Sequence, residues 1–90
     1  MAILITTEVQ NQTKEGYDGM MLILESAVKQ AKGFIMHAAY ANAEGGWRVI
    51  EVWESANDSN QFFAKFVHPN LPPGIKPKRS FHDLHSLVKV

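Results

Sequence analysis

Two hydrophobic periods alternate along this chain, and they divide it into six elements. Residues 3–9, Ile-Leu-Ile-Thr-Thr-Glu-Val, are rich in β-branched types and read as a first strand. After a polar stretch, Gln10 to Gln12, the period changes: Tyr17, Met20, Met21, Leu24, Ala27, Val28 and Ala31 recur three and four apart, the spacing of one apolar stripe on a helix. Thr13 is placed as the N-cap of that helix and Gly33 as its end. Glu25 and Lys29 lie four apart on its wet side, in the favourable order. Residues 34–42 are apolar on both faces and form a second strand, with Ile35 and Ala39 on one side and Phe34, Met36 and Tyr40 on the other. Asn42 to Gly46 supplies a hairpin turn whose glycines accept positive φ, and residues 47–54 form the third strand. Ser55 caps a second helix, with Phe62, Phe63, Phe66 and Val67 as its apolar face and His68-Pro69 as its stop. Residues 69–80 hold all 4 prolines and read as a loop; residues 81–90 read as the last strand.

The order β-α-β-β-α-β is that of an α+β, ferredoxin-like domain spanning residues 1–90, with an antiparallel sheet and two helices on one face. The two-faced second strand then predicts more than a monomer. A sheet face left bare would expose a larger apolar patch than monomers usually tolerate, so a second copy of the chain is expected to cover it. The absence of cysteine points the same way, since a small core without disulfides gains buried area most readily from a homodimer.

Composition adds mainly exclusions. The chain is 46% hydrophobic and 20% charged, which suits a globular protein rather than a disordered one. Its 9 basic residues balance 9 acidic ones, so it lacks the positive field that a nucleic-acid phosphate backbone requires. The N-terminal apolar run is short and has no basic region before it, so it does not read as a signal peptide. No run reaches membrane-spanning length, and the expected address is the cytoplasm. Without cysteine, and without helically spaced histidine pairs, no metal is expected.

Candidate chemistry comes from the third strand. Alternation puts Trp47, Val49, Glu51 and Trp53 on one face, and a carboxylate between two tryptophans is costly to bury unless it is paired. If the hairpin pairs Ala43 with Trp47, Ala39 falls opposite Glu51 and His37 opposite Trp53, which makes His37 and Glu51 diagonal neighbours on one face. A one-residue slip would instead send His37 to the other face. Ala39 and Ala41 leave room beside the pair. A histidine oriented by a carboxylate in an apolar pocket is a general base near neutral pH. The same two residues equally suit a satisfied structural ion pair, and both readings stand at this point. A site for a small apolar or aromatic ligand is expected between the sheet and the two helices, with His37 and Glu51 on its floor and Trp53, Ala39 and Phe63 around it. Phe62, Phe63 and Phe66 read as helix core, and Lys76, Lys78 and Arg79 as a solvated basic loop. His82 and His85 fall on opposite faces of the last strand.

The element order, together with Gly33-Phe34-Ile35-Met36-His37 and Gly46-Trp47-Arg48-Val49-Ile50-Glu51-Val52-Trp53-Glu54-Ser55, resembles the antibiotic biosynthesis monooxygenase family of dimeric α/β barrels. The resemblance covers nearly the whole chain. It implies two sheets packed face to face, each with a pocket under its own helices. It also implies either a cofactor-independent oxygenase of aromatic, polyketide-like substrates or a haem-degrading enzyme. Trp53 falls where the quinol oxygenases carry a strand tryptophan, and Val49 stands where they carry an asparagine. The haem-degrading members pair a first-strand asparagine with a histidine after the second helix; the matching positions here hold Thr6 or Thr7 and, roughly, His68. The function expected is therefore a cofactor-independent monooxygenase-like enzyme acting on an aromatic or apolar metabolite with no bound cofactor. The alternative is a non-catalytic small-ligand-binding or assembly protein.

Overall fold

The computed structural model describes residues 2–90. Four strands, β1 (Ile3–Val9), β2 (Phe34–Ala41), β3 (Trp47–Trp53) and β4 (Lys78–Asp83), form one antiparallel sheet in the order β2-β3-β1-β4. Helices α1 (Lys14–Lys29) and α2 (Ala56–Phe62) join them, and the arrangement is ferredoxin-like. Both N-caps fall on the expected residues: Thr13 Oγ1 accepts from Gly16 N–H at 3.0 Å and Ser55 Oγ accepts from Asp58 N–H at 3.1 Å, each satisfying a donor the helix leaves unpaired. Glu25 and Lys29 pair at 3.2 Å. Among the described residues no helix is long and apolar enough to cross a membrane.

The core follows the alternation of β1. Ile3, Ile5, Thr7 and Val9 are buried, and the residues between them are only partly so. Ile5, Val28, Trp53 and Phe62 form the central cluster. Trp53 is fully buried, with Phe34 edge-on at 5.4 Å and Phe62 at 5.7 Å between ring centroids. Leu24 and Val28 hold α1 to this core, and the whole predicted stripe of that helix is at least partly buried.

Helix α1 stops at Lys29 with Gln30 as its C-cap, short of the expected Gly33, and the structure departs from the sequence expectations in four further places. First, β2 carries a bulge at Ile35, between the Phe34–Trp53 and Met36–Val52 pairs. The extra residue turns Phe34 onto the helix face, beside Trp53, and away from the side shared by Met36 and Tyr40. Second, the hairpin pairs Ala41, not Ala43, with Trp47. Asn42 closes the turn itself: its N–H reaches Gly46 O, its carbonyl oxygen accepts from Gly45 N–H, both at 3.0 Å, and its side chain accepts from Glu44 N–H. Gly46, at φ +81, brings its α-carbon so close to Val9 and Gln10 that a side chain there would meet their carbonyl oxygens. The register therefore shifts by two residues, which keeps His37 on its expected face and sets it directly opposite Glu51. Third, the second helix widens to π-helical over Phe63–Val67 and ends in a 3₁₀ turn, His68–Asn70. Fourth, β4 begins inside the expected loop at Lys78 and stops at Asp83. Leu84–Val90, His85 among them, lies outside the strand, and Leu87, Val88 and Val90 are exposed.

Candidate functional site

A partly enclosed cavity of about 110 Å³ lies between the helix face of the sheet and α1, α2 and the π-helical segment. Its walls are largely apolar: Met20, Met21 and Leu24 from α1, Phe62 and Phe63 opposite, and Leu71, Ile75 and Pro77 from the loop before β4. Water-poor walls of this kind strengthen the few polar groups that face inward.

Those groups form a chain. His37 Nδ1 stands 2.6 Å from Glu51 Oε2, and its Nε2 stands 2.7 Å from the Tyr17 hydroxyl. The second carboxylate oxygen of Glu51 accepts from Trp53 Nε1–H at 3.1 Å. A carboxylate only accepts, so the neutral imidazole carries its proton on Nδ1 and donates it to Glu51. Nε2 is then an acceptor, and Tyr17 O–H donates to it. The direct β2–β3 pairing of His37 with Glu51 fixes the first contact. The helical position of Tyr17, four residues past the Thr13 cap, fixes the second. The Tyr17 ring is further held by stacking on Trp47, centroids 5.8 Å apart at 23°. Burial, the first cause, and the charge of Glu51, the next, hold the Tyr17 phenol above its ordinary value.

Arg79, in β4, also lines the cavity and donates to Ser59 Oγ at 2.6 Å and Asn60 Oδ1 at 3.0 Å. Its guanidinium lies over the rings of Phe63 at 4.4 Å and Phe81 at 4.9 Å. Burial pulls it below the ordinary arginine value, against an opposing pull from Glu51.

His37, Glu51 and Phe63 all line the cavity. Trp53 does not: it lies beneath the floor in the core and touches the site only through its indole N–H. Ala39 is opposite Val49 and is not on the wall. Tyr17 and Arg79 are the wall groups that sequence reasoning placed elsewhere, Tyr17 as one member of an apolar stripe and Arg79 in a solvated loop. Lys76 and Lys78 are indeed exposed, whereas Arg79 faces inward because β4 starts one residue before it. The available signal for Tyr17 was its hydroxyl, the only polar atom in that stripe.

The sequence matches no family model and no curated protein. Solved structures do share the fold. SnoaB from Streptomyces nogalater, a cofactor-independent oxygenase, superposes with a TM-score of 0.66 at 12% identity over 97% of this chain and 94% of its own. The haem-degrading MhuD of Mycobacterium tuberculosis gives 0.67 at 14%, over 97% and 99%. A Deinococcus radiodurans protein, provisionally described as an antibiotic biosynthesis monooxygenase, gives 0.64 at 8%, over 100% and 98%. The chain thus resembles that family in fold, as its sequence pattern suggested.

The site does not fit a haem. His68 is exposed and is not on the cavity wall, and the wall histidine, His37, has both ring nitrogens engaged.

Proposed function

We propose that this chain takes an apolar ligand, about one aromatic ring within the walls, into the cavity beneath its helices and removes an acidic proton from it, as a cofactor-independent monooxygenase-like enzyme. The single observation carrying this reading is the hydrogen-bonded row Tyr17–His37–Glu51 on the wall of a largely apolar cavity. A satisfied pair buried only for stability has no need of a cavity beside it. The volume supports the ligand size, being of the order of the ~150 Å³ apolar cavity that accepts benzene in another protein. His37 is the base, and Glu51 fixes its tautomer and stabilises the imidazolium formed. The ligand anion, held away from water, then has the electron density to reduce dioxygen. The likeness of fold to SnoaB supports oxygen as the second reactant. Val49 offers no hydrogen bond, so polar recognition falls to other wall groups, among them Tyr17, Arg79 and the unpartnered Trp47 Nε1–H.

The reading includes a homodimer. On the face of the sheet away from the helices, Leu4, Met36, Ala38, Ile50 and Val52 make an apolar centre. Glu8, Arg48 and Tyr40 lie at one end of it, with an ion pair between Glu8 and Arg48. Met36 and Tyr40 are exposed. An apolar centre with a polar rim is the anatomy of a subunit interface.

Oxygen uptake over a panel of single-ring quinols and catechols tests the catalytic half. Turnover by the wild-type protein, cut about a hundredfold or more in H37Q and E51Q, is expected from loss of a general base. Full turnover in either variant reduces the row to a structural pair, and no uptake with any compound leaves the binding or assembly reading in its place.

A further inference from the structure

We infer that Tyr17, rather than His37, is the group that meets the substrate: its hydroxyl oxygen takes the substrate's proton while its own proton passes to His37 Nε2. This inference rests on the reading of the cavity as a proton-abstracting site and concerns which residue makes the contact.

His37 has no free nitrogen to offer. Nδ1 is 2.6 Å from Glu51 and Nε2 is 2.7 Å from Tyr17, so a ligand reaching Nε2 directly would have to displace the phenol. Displacement is opposed by the way Tyr17 is seated. Its ring is nearly parallel to both His37, at 6.0 Å and 21°, and Trp47, at 5.8 Å and 23°. Its backbone lies in the first turns of a capped helix. Both side chains line the cavity, and the phenol occupies the Nε2 of the imidazole beside it. While donating to His37 it retains an acceptor lone pair. The other polar side chains on the wall are Thr7, Gln12, Ser59, Arg79 and Trp47, whose Nε1–H is buried without a partner and can only donate, together with Glu51, whose two oxygens already accept from His37 and Trp53. Apart from Glu51, which is already held by His37 Nδ1, none of them is hydrogen-bonded to His37 as Tyr17 is.

The step balances as two linked proton transfers. The substrate O–H (or N–H) bond breaks as an O–H bond forms at Tyr17. The original Tyr17 O–H bond breaks as an N–H bond forms at His37 Nε2. The substrate ends as an anion and His37 as an imidazolium beside Glu51, and Tyr17 is neutral before and after. Nothing is oxidised in this step. Because burial and Glu51 keep the phenol proton in place, a free tyrosinate is disfavoured, and the two transfers belong to one event. The ligand class follows: a flat, mostly apolar ring bearing one acidic O–H or N–H, such as a phenol or an enol, that donates to Tyr17.

The probe for the test is 4-nitrophenol, whose anion is yellow. It is mixed with the wild-type protein, Y17F and H37Q at a pH below that at which the free probe ionises. The wild-type protein should bind it and show the nitrophenolate band. Folded Y17F should retain the stacking surface but lose the band by about tenfold or more, the equivalent of one unit of proton affinity. H37Q should lose it as well. Loss of binding itself in folded Y17F also assigns the contact to Tyr17. A wild-type band in Y17F means that His37 takes the proton directly, and a wild-type band in H37Q means that Tyr17 does not relay to it; either result overturns the inference alone. No binding, or binding without the band, in the wild-type protein overturns the proton-abstraction reading and this inference with it. A measurement on the wild-type complex needs no variant: NOE contacts from the probe should fall on the Tyr17 ring, and contacts to the His37 imidazole in their place overturn the assignment.

Discussion

The two faces of this sheet are built from alternate residues of the same strands, yet they behave as different materials. On the helix face, β1 contributes four buried residues, Trp53 is inaccessible, and Tyr17, His37, Glu51 and Trp53 are linked in a row, while Trp47 Nε1 is buried without a partner. On the other face Val52 is buried by its strand neighbours, Leu4 and Ile50 are only half-covered, Met36 and Tyr40 are open, and Arg48 Nε is buried without a partner. The difference is not one of hydrophobicity, since Leu4, Met36, Ile50 and Val52 are as apolar as the core. It is one of completion: one face is closed by the chain's own helices, and the other is left partly open by the chain itself.

The comparison is broken most severely from the finished side. Trp53→Ala removes the largest fully buried side chain, takes a ring contact from Phe34 and from Phe62, and leaves Glu51 Oε1 without its donor. The expected loss is about 3–5 kcal/mol, a large part of the stability of a 90-residue chain. Chemical denaturation gives the value directly. A loss under about 1 kcal/mol would show that the helix face tolerates a void, contrary to the close packing of interiors.

A charge on the other face should act quite differently. Met36→Asp is expected to leave the fold of the single chain intact, because Met36 is exposed there. In a dimer closed through this face, an unpaired carboxylate near the centre should weaken association about thirtyfold or more, as hot-spot losses of about 2 kcal/mol do. Sedimentation or light scattering across a concentration series reads this. A wild-type chain that stays monomeric at micromolar concentration removes the homodimer, and an unaltered dimer in Met36→Asp moves the interface elsewhere.

How much of this was legible in the sequence differs element by element. β1 could be read to the residue, because β-branched types fill it and the polar Gln10 to Gln12 follow it. His37 and Glu51 were placed on one face correctly although their pairing was two residues out, since a slip of two preserves the face. The shift itself was hidden because Asn42 can extend a strand or close a turn, and its own hydrogen bonds decide for the turn. The bulge at Ile35 left no mark in an apolar run, so the side taken by Phe34 could not be read. Tyr17 and Arg79 were missed for opposite reasons. Tyr17 looked apolar among its helical neighbours, and Arg79 looked solvated between Lys78 and Ser80. Only the tertiary fold turns a phenol hydroxyl toward His37 and a guanidinium toward Ser59.

Arg79 tests the comparison at the edge of the helix face. Its bonds to Ser59 and Asn60 tie β4 to α2, and its plane covers Phe63 and Phe81. Arg79→Met should cost roughly 1–2 kcal/mol, from lost hydrogen bonds that leave the buried Ser59 unpartnered and from lost cation–π contact. Arg79→Lys should recover little of it, because a point charge cannot supply the planar fork. Full recovery by lysine in thermal denaturation would mean that charge alone holds the strand.

The smallest expected effect is alkaline and belongs to Tyr17. Its folded value is raised above the ordinary 10.0, by burial first and by the charge of Glu51 next, with smaller parts from Asp18 and Glu25. The sign follows from which state holds the proton more tightly. Below the unfolded value both states keep the phenol protonated, so Tyr17 adds no slope. As pH rises past it, the unfolded chain releases the proton while the folded chain retains it, and stability falls until the folded value is passed. Tyr17→Phe removes the titrating group, so its stability should decline less between pH 9 and 11 than that of the wild-type protein. The exposed Tyr40 supplies a control, because Tyr40→Phe leaves the buried phenol in place. Denaturation midpoints at several pH values decide it: parallel wild-type and Tyr17→Phe curves would mean that the phenol is no harder to ionise in the fold than in the open chain. The packing between His37 and Trp47 would then not be what keeps its proton in place.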